Sequence, residues 1–282
     1  MSDSVYQNFQ FSTPFLKGYR QLRIPVVDDV GNPVWDALFS LKKIEELREI
    51  VGPRYFSSQM MLEYINEEKV CLDPGALHFY LFDFDVRGAK LGDNAITGAS
   101  VYWDPSGGRT SGDSSVCVLV YRDDKNRRAF IHDIRYLVVN DRDIYPLATQ
   151  CQTVLEFMQL HGQKRIAIEV NGIGNALPEI LLNIASRQNI PVIVKKVVNH
   201  IGKKTRILDA IEPLLTTGRL FAHERIKSTP LLSEMLGWIP MVANQNDDGL
   251  DAIAGALRLQ PMPMRGASQL PRMLTAKTDF KL

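Results

Sequence analysis

The chain has 282 residues, of which 45% are apolar and 23% are charged. That composition excludes collagen-like, coiled-coil and fully disordered proteins, and the length allows one large domain or a core domain with an appendage. Lys and Arg number 33 against 32 Asp and Glu, which gives a formal net charge of +1. Any affinity for nucleic acid must therefore come from a local basic surface rather than from the charge of the whole chain.

The cysteines and the N-terminal sequence indicate the cellular compartment. Cys71, Cys117 and Cys151 are far apart and lack metal-binding spacing, so neither a disulfide framework nor a zinc site is expected. The first residues lack the basic start and apolar core of a signal peptide, and no apolar run reaches the length of a membrane span. We expect a protein of a reducing cytoplasm with no membrane partner.

Residues 1–95 are predicted to be a lead-in of short helical pieces between polar and proline-marked breaks. One helix is well signalled within it. Ser40 is a suitable N-cap, apolar residues then recur on one helical face, and Gly52 followed by proline predicts the helix end.

From residue 96 the pattern changes to strands rich in Val, Ile and Tyr, separated by polar turns and later by segments with helical spacing. The run RIAIEV is typical of a strand that is buried on both faces. The predicted strands are 96–103, 115–121, 129–139, 165–170 and 191–194. The predicted helices are 144–158, 177–186, 206–215 and 250–259.

This order of elements predicts an α/β fold. We expect a mixed sheet with an antiparallel three-strand meander at one side and flanking helices on its faces. Residues 96–260 form the predicted domain. Residues 261–282 lose apolar periodicity and carry more basic than acidic residues, so they are predicted to be a mobile basic tail.

Acidic residues occur at the ends of three predicted core elements. Asp104 ends the first strand, Glu169 lies near the end of the buried RIAIEV strand, and Asp247, Asp248 and Asp251 open the last helix. A carboxylate in so apolar a strand needs a metal, a cation or a proton to offset its desolvation. Converging carboxylates repel one another unless a divalent ion lies between them, and hard oxygen ligands favour Mg²⁺ or Mn²⁺.

Each of these acids also has a structural explanation when it is taken singly. Asp104 precedes Pro and Gly and could form a turn. Asp247 and Asp248 could favour the helix N-terminus through its dipole, and Glu169 could pair with an arginine. Their joint placement at element ends favours a metal site.

A basic segment follows the predicted strand at 191–194. Its simplest interpretation is a solvated loop, but beside an acidic metal site it could hold a DNA backbone without reading sequence. Its members are Lys195, Lys196, His200, Lys203, Lys204 and Arg206.

Other motifs fail on spacing. A Walker phosphate loop before Lys203 lacks its earlier glycine because position 197 is Val197, and a dinucleotide fingerprint after Gly172 lacks its third glycine because position 177 is Leu177. The histidines have no metal-binding spacing and are predicted to be structural. They are His78, His132, His161, His200 and His223.

Three stretches in this order resemble the nuclease domain of the large terminase subunit of tailed bacteriophages. They are SVYWDPSGGRTSGDSSVCVLVY, KRIAIEVNGIGNALPEIL and NDDGLDAIAGAL. Upstream, PVWDALFSLKKIEELREIVGPRYFSSQMM resembles the segment that joins the packaging ATPase to the nuclease. The resemblance implies an RNase H-like fold and metal-dependent cutting of concatemeric phage DNA in the cytoplasm of the bacterial host.

The resemblance also assigns residues and partners. It implies that Asp104, Glu169 and Asp251, assisted by Asp248, bind two Mg²⁺ or Mn²⁺ ions, and that Asp113 matches a recurrent second aspartate that is equally explained by its turn. The implied partners are double-stranded DNA, the small terminase subunit, the portal and a packaging ATPase. Because this chain carries no Walker motif, we expect the ATPase to lie outside it.

Two alternatives from other functional classes stay open. One is a docking module of the packaging motor that has no catalytic activity. The other is a different RNase H-like enzyme, such as a junction resolvase or a transposase, which would use the same acids on branched DNA or transposon ends.

Overall fold

The structure is a computed structural model that describes residues 24–28, 30–62, 72–106, 114–140, 142–171, 175–240, 242 and 245–259. The predicted tail at 261–282 lies outside the described residues, as do Cys71 and Asp113.

One α-helix precedes a run of seven strands, and α-helices and strands then alternate as far as the last strand. The strands are β1 (His78–Tyr80), β2 (Phe84–Asp85), β3 (Lys90–Leu91), β4 (Asn94–Ala95), β5 (Gly98–Asp104), β6 (Ser115–Asp123), β7 (Arg128–Leu137), β8 (Arg165–Glu169), β9 (Ile193–Val197) and β10 (Leu220–His223). The helices are α1 (Leu41–Tyr55), α2 (Pro146–Leu160), α3 (Leu177–Arg187), α4 (Lys203–Thr216), α5 (Leu231–Gly237) and α6 (Asp248–Leu259).

Seven strands form one mixed sheet in the order β1-β10-β7-β6-β5-β8-β9. Strand β6 is antiparallel to both of its neighbours, and the remaining pairs are all parallel. The predicted α/β fold, with an antiparallel β5–β6–β7 meander and flanking helices, is confirmed. The meander lies in the middle of the sheet rather than at one side, because β10 and β1 extend the sheet beyond β7.

The chain before residue 96 contributes to the sheet. Strand β1 pairs with β10, and strands β2, β3 and β4 form a small antiparallel sheet of their own. The ring of Phe84 stacks on that of Tyr121 in the main sheet, with centroids 4.6 Å apart. The domain boundary at residue 96 stays a prediction, but the main sheet includes an earlier strand.

Each face of the sheet has its own apolar core. Alternate residues of a strand point to opposite faces, so Tyr102 belongs to the core under α4, α5 and α6, whereas Trp103 belongs to the core under α2 and α3. We call these the α4/α6 face and the α2/α3 face.

Helix α6 lies at the centre of the α4/α6 face, and every residue from Gly249 to Leu257 is buried. Its small residues let its backbone approach the sheet closely. A Cβ atom at Gly255 would lie 2.4 Å from two ring carbons of Tyr102, and one at Gly249 would lie 2.0 Å from the Tyr136 hydroxyl. The glycines therefore fix how closely α6 packs on β5 and β7.

Helix α1 has the position that its sequence predicts, and it packs on α4. The backbone at Gly52 leaves the helical conformation with φ 80°, which is the region where glycine is favoured. Because a Cβ atom there would lie 3.2 Å from the Pro213 Cα, Gly52 serves both the kink and the contact with α4.

Candidate active site

Strands β5 and β8 bring two of the predicted acids to the same edge of the sheet. The strands are parallel, with Tyr102 opposite Ala167 and Trp103 opposite Ile168. Asp104 and Glu169 are the next residues of the two strands. Each lies two residues after one that points to the α4/α6 face, Tyr102 and Ala167, so both acids point to that face. Glu169 is buried, so the sheet register alone places two carboxylates side by side.

The first turn of α6 brings the remaining predicted acids to this edge. Asp251 is buried, and Asp248 accepts a hydrogen bond of 2.6 Å from the backbone N–H of Ser114, just before β6. Asp247 accepts a bond of 3.2 Å from the Trp238 indole N–H. We call Asp104, Glu169, Asp247, Asp248 and Asp251 the acid cluster.

Arg206 of α4 lies between two members of the acid cluster. Its Nε donates to Asp251 Oδ1 at 3.0 Å, its Nη2 donates to both carboxylate oxygens of Asp251, and its Nη1 lies 3.4 Å from Glu169 Oε1. The arginine side chain is only 6% exposed. A buried guanidinium that bridges two buried carboxylates offsets the desolvation of all three groups.

Lys203, one helical turn earlier, contacts the aspartates that open α6. Its Nζ lies 2.6 Å from Asp247 Oδ1, 3.1 Å from Asp248 Oδ1 and 4.0 Å from Asp251 Oδ2. Burial disfavours the charged amine, but the hydrogen bond and charge of Asp247 outweigh that and raise the pKa of Lys203. The lysine therefore stays protonated here.

Uncharged donors orient Glu169. The Tyr102 hydroxyl and the Asn199 amide both donate to Oε2 at 2.7 Å, and the Asn171 amide donates to Oε1 at 2.8 Å. Burial, and then the hydrogen bond to Glu169, raise the pKa of the Tyr102 hydroxyl. Tyr102 is thus a fixed donor rather than an acid.

The acids perturb one another electrostatically. Burial, followed by the charges of Asp251 and Glu169, raises the pKa of Asp104 well above its usual range. Burial also raises the pKa of Asp251 to about 6, against the opposing charges of Arg206 and Lys203. Beyond the effect of burial, the neighbouring carboxylates therefore disfavour one another's ionised form.

The donor set is suited to a hard divalent cation, because every member of the acid cluster offers carboxylate oxygens. Within the described ranges, no three His, Cys, Asp or Glu side chains are already grouped as a metal centre. Arg206 and Lys203 supply the positive charge instead. The residues fit a divalent ion in chemistry and charge, with carboxylates that now contact these two cations.

The predicted basic segment does not form one surface. Lys195 and Lys196 are consecutive residues of β9, so they point to opposite faces of this edge strand. Lys203 and Arg206 contact the acid cluster, and Lys204 is exposed. DNA binding by these residues stays a prediction, and a single continuous basic face is not formed by them.

Three of the five histidines form a separate polar group on the α2/α3 face. The β6–β7 register shifts between Leu119 and Val120, and a bulge of this kind re-aims side chains. The His132 ring lies 5.4 Å from that of His161 and 5.3 Å from that of His223, between centroids. Burial and the charge of Arg225 lower the pKa of His132 to about 3.

The residues that position Glu169 are not evident from the sequence pattern alone. Tyr102 is two residues before Asp104 in one strand, so the same alternation that places the aspartate on the α4/α6 face places the tyrosine there. The sequence pattern assigns Arg206 to DNA binding as one of the basic residues that follow the predicted strand at 191–194. Helix α4 begins at Lys203, and the i, i+3 spacing puts Lys203 and Arg206 on one side.

A family model described as Terminase Bacteriophage T7, Ribonuclease H-like domain, matches residues 76–220, about half of the chain. The chain belongs to this terminase family. The matched range contains Asp104 and Glu169 and ends before α6. Membership confirms the resemblance and the RNase H-like fold, and it implies a nuclease role in DNA packaging.

Solved terminase nuclease domains are similar to this chain only at low sequence identity and with TM-scores below 0.5. The human cytomegalovirus terminase nuclease domain is 16% identical, with 57% of this chain and 82% of that chain covered and a TM-score of 0.41. The large terminase nuclease domain of bacterial virus Sf6 is 10% identical, with 68% and 98% covered and a TM-score of 0.43. The large terminase nuclease domain of bacteriophage SPP1, solved with bound Mn, is 11% identical, with 65% and 96% covered and a TM-score of 0.39.

At these values the assignment depends on the family model rather than on the solved structures. No curated protein matches the chain. Among the helices of the described residues, none has the length and apolar character needed to cross a bilayer.

Proposed function

We propose that this terminase-family chain is a divalent-metal-dependent endodeoxyribonuclease that cuts concatemeric phage DNA during genome packaging. The observation that supports the proposal is the convergence of Asp104, Glu169, Asp248 and Asp251 from β5, β8 and α6 on one edge of the sheet. A surplus of carboxylates at one place favours cations, and the family membership makes phosphodiester hydrolysis the reaction to test.

Asp104, Glu169, Asp248 and Asp251 would hold the metal, as two Mg²⁺ or Mn²⁺ ions. When bound, such ions lower the pKa of an attacking water and stabilise the leaving 3′ oxygen. No side-chain nucleophile is needed.

The chain's own residues have distinct parts in this proposal. Tyr102, Asn171 and Asn199 hold the Glu169 carboxylate in one orientation through three hydrogen bonds. Arg206, almost fully buried, positions Asp251. Lys203, whose side chain is 37% exposed, is the cation of the site that DNA can reach, so it would move from the aspartates to a backbone phosphate.

The biological setting follows from the family and is part of the proposal. The substrate would be double-stranded DNA in the cytoplasm of the bacterial host, and the packaging ATPase, small terminase subunit and portal would be partners. Lys195, Lys196 and Lys204 are exposed and would add contacts to the DNA backbone that do not depend on sequence.

The test is cleavage of supercoiled plasmid by the purified chain with Mn²⁺, Mg²⁺ or EDTA. We expect nicking and linearisation with either metal, none with EDTA, and none for Asp104→Asn or Glu169→Gln. Glu156→Gln is the matched control, since Glu156 is an exposed acid on α2, away from the acid cluster. Metal-dependent cutting that survives in Glu169→Gln would contradict the assignment.

The same preparation separates the alternatives. Mn²⁺ binding measured by calorimetry, lost in Asp104→Asn, is expected for a nuclease and not for a docking module without catalytic activity. Preferential cutting of a four-way junction over linear duplex would indicate a resolvase instead.

A further inference from the structure

A second charged site lies at the opposite end of the α4/α6 face from the acid cluster. It is a cavity of about 220 Å³ whose polar lining consists of four arginines and two acids. These residues are Arg122, Arg127, Arg219, Arg258, Glu49 and Asp209. We call it the arginine cavity.

The arginine cavity is separate from the acid cluster. Asp104 pairs with Val116 at the start of β6, whereas Arg122 lies near the end of that strand. Six residues of strand at about 3.4 Å each put roughly 20 Å between the two places. A single phosphate group at one site therefore does not touch the other.

Two of the cavity arginines are buried. The side chains of Arg122 and Arg127 are 10% and 11% exposed. A guanidinium does not lose its proton in a protein, so a buried one keeps its charge and needs an anion close by. Arg122 meets this need with Asp124, at 2.9 Å.

Glu49 of α1 is shared by two other arginines. Its Oε2 lies 2.6 Å from Arg219 Nη2 and 3.8 Å from Arg127 Nη1. One carboxylate thus lies beside two guanidinium groups. The Glu49 side chain is itself 49% exposed, so it can turn to solvent without a large desolvation change.

The size and charge of the cavity suit a larger anion than a carboxylate. Its volume of about 220 Å³ is well above what a single bound water needs. Four arginines and two acids line the cavity, and a third acid, Asp124, contacts Arg122. Guanidinium groups bind phosphate oxygens in pairs through their fixed fork of donors.

We propose that the arginine cavity is a phosphate-binding site, in which a phosphate group replaces the Glu49 carboxylate between Arg127 and Arg219. Arg258 supplies further positive charge, whereas Arg122 contacts Asp124. The phosphate can belong to a small molecule, inorganic phosphate or a nucleotide, or to a DNA backbone. The chemistry of recognition is the same in each case.

The test is calorimetric titration of inorganic phosphate into the full chain, in EDTA and at constant ionic strength set with chloride. We expect saturable binding at one site. Arg127→Gln should weaken it by about tenfold to a hundredfold, as expected for the loss of a charge-assisted hydrogen bond. Binding of equal strength by Arg127→Gln and the wild type would overturn the proposal, as would the absence of saturable binding.

The direction in which phosphate affinity changes tests the displacement of Glu49. Glu49→Gln removes the competing carboxylate and should tighten phosphate binding about fivefold, the factor equivalent to about 1 kcal/mol. Glu45→Gln is the matched control, because Glu45 is an exposed acid one turn earlier on α1 and is not part of the lining. Weaker or unchanged binding by Glu49→Gln would overturn the displacement.

Two further variants control for unfolding and for an effect of the acid cluster. If circular dichroism shows that Arg127→Gln is unfolded, Arg258→Gln replaces it, since Arg258 is exposed at the end of α6. Asp104→Asn should bind phosphate like the wild type, so this inference is tested independently of the nuclease proposal.

Two parallel titrations identify the source of the phosphate. ADP competes with inorganic phosphate if the ligand is a nucleotide, and a short duplex competes if it is a DNA backbone. If Arg127→Gln reduces the competition by ADP or by the duplex, the result supports the site. If the substitution leaves that competition unchanged, the result contradicts the site.

Discussion

At one end of the α4/α6 face five carboxylates surround two cations, and at the other end four arginines lie among three carboxylates, those of Glu49, Asp209 and Asp124. The same two helices supply both ends. Helix α4 carries Lys203 and Arg206 to the acid cluster and Asp209 to the arginine cavity, and α6 carries Asp251 to the first and Arg258 to the second. The charge pattern therefore reverses along each helix.

This comparison shows a common principle of construction. At each end, side chains of the minority sign neutralise part of the majority, Arg206 and Lys203 among the acids and Glu49 among the arginines. Such internal counter-ions keep a cluster of like charges folded when no ligand is bound. We expect the acid end to exchange its cations for metal ions and the arginine end to exchange its carboxylate for phosphate.

A substitution at Glu169 should impair the acid cluster and leave the arginine cavity intact. Glu169→Gln should reduce metal-dependent cleavage by a factor on the order of 10³, equivalent to about 4 kcal/mol of transition-state stabilisation. Phosphate binding at the arginine cavity should be unchanged. Plasmid cleavage rates and phosphate titrations on the same variant check both statements, and a parallel loss at both ends would show that the ends are coupled.

Removing the internal cation tests the principle at the acid end. Arg206→Gln leaves Asp251 and Glu169 without their guanidinium, so the free energy of unfolding in EDTA should fall by about 3–5 kcal/mol. Mn²⁺ should then raise the melting temperature of this variant more than that of the wild type. Urea denaturation and melting curves measure these effects, and an unchanged stability in EDTA would contradict the role of Arg206.

Overpacking α6 tests how far stability and the acid cluster depend on the close packing of this helix. Gly255→Ala puts a methyl group 2.4 Å from the Tyr102 ring, and we expect a loss of about 1–3 kcal/mol of stability. Because Tyr102 orients Glu169, cleavage should fall as well. Gly237→Ala is the control, since a methyl group added there would meet no atom within 4 Å, and equal losses in the two variants would refute the packing argument.

The pH dependence of stability is expected to come from the α2/α3 face, which carries neither the acid cluster nor the arginine cavity. His132 has a pKa lowered to about 3, and it faces Tyr80, His161, His223, Arg225 and Asp133. Below its unfolded pKa of 6.5 the unfolded chain binds the extra proton, so stability is lost as pH falls. At pH 5 this loss is about 2 kcal/mol.

The matching variant is His132→Gln, which removes the titrating group. Unfolding by urea at pH 8 and pH 5 should show a smaller difference for this variant than for the wild type. An equal difference would mean that other groups cause the acid sensitivity.

The parts of the site that sequence predicted are those that depend on strand periodicity. Asp104 and Glu169 end strands whose apolar alternation is clear, and parallel strands carry their ends to the same edge. Asp248 and Asp251 follow from helical spacing. Strands β1 and β10 were missed because three or four residues, as in LFAH, are too short to show a period.

The partners of these acids were harder to predict. Arg206 joins Asp251, 45 residues further along the chain, and the arginine cavity combines Glu49 of α1 with Arg127 and Arg219. Such contacts depend on which helix covers which face, and local spacing carries no information about that. The apolar RIAIEV strand predicts that the buried charge of Glu169 needs a partner, and the structure gives it Arg206 together with three uncharged donors.

The central helix α6 also has a consequence for synthesis on the ribosome. It follows all ten described strands in the chain, yet it covers the middle of the sheet and supplies Asp248 and Asp251. Domains generally fold as units during translation, and apolar surface that waits for its cover is prone to aggregation. A nascent chain that ends before α6 would therefore expose this apolar surface, and under the proposed function it would lack two of the acids that hold the metal.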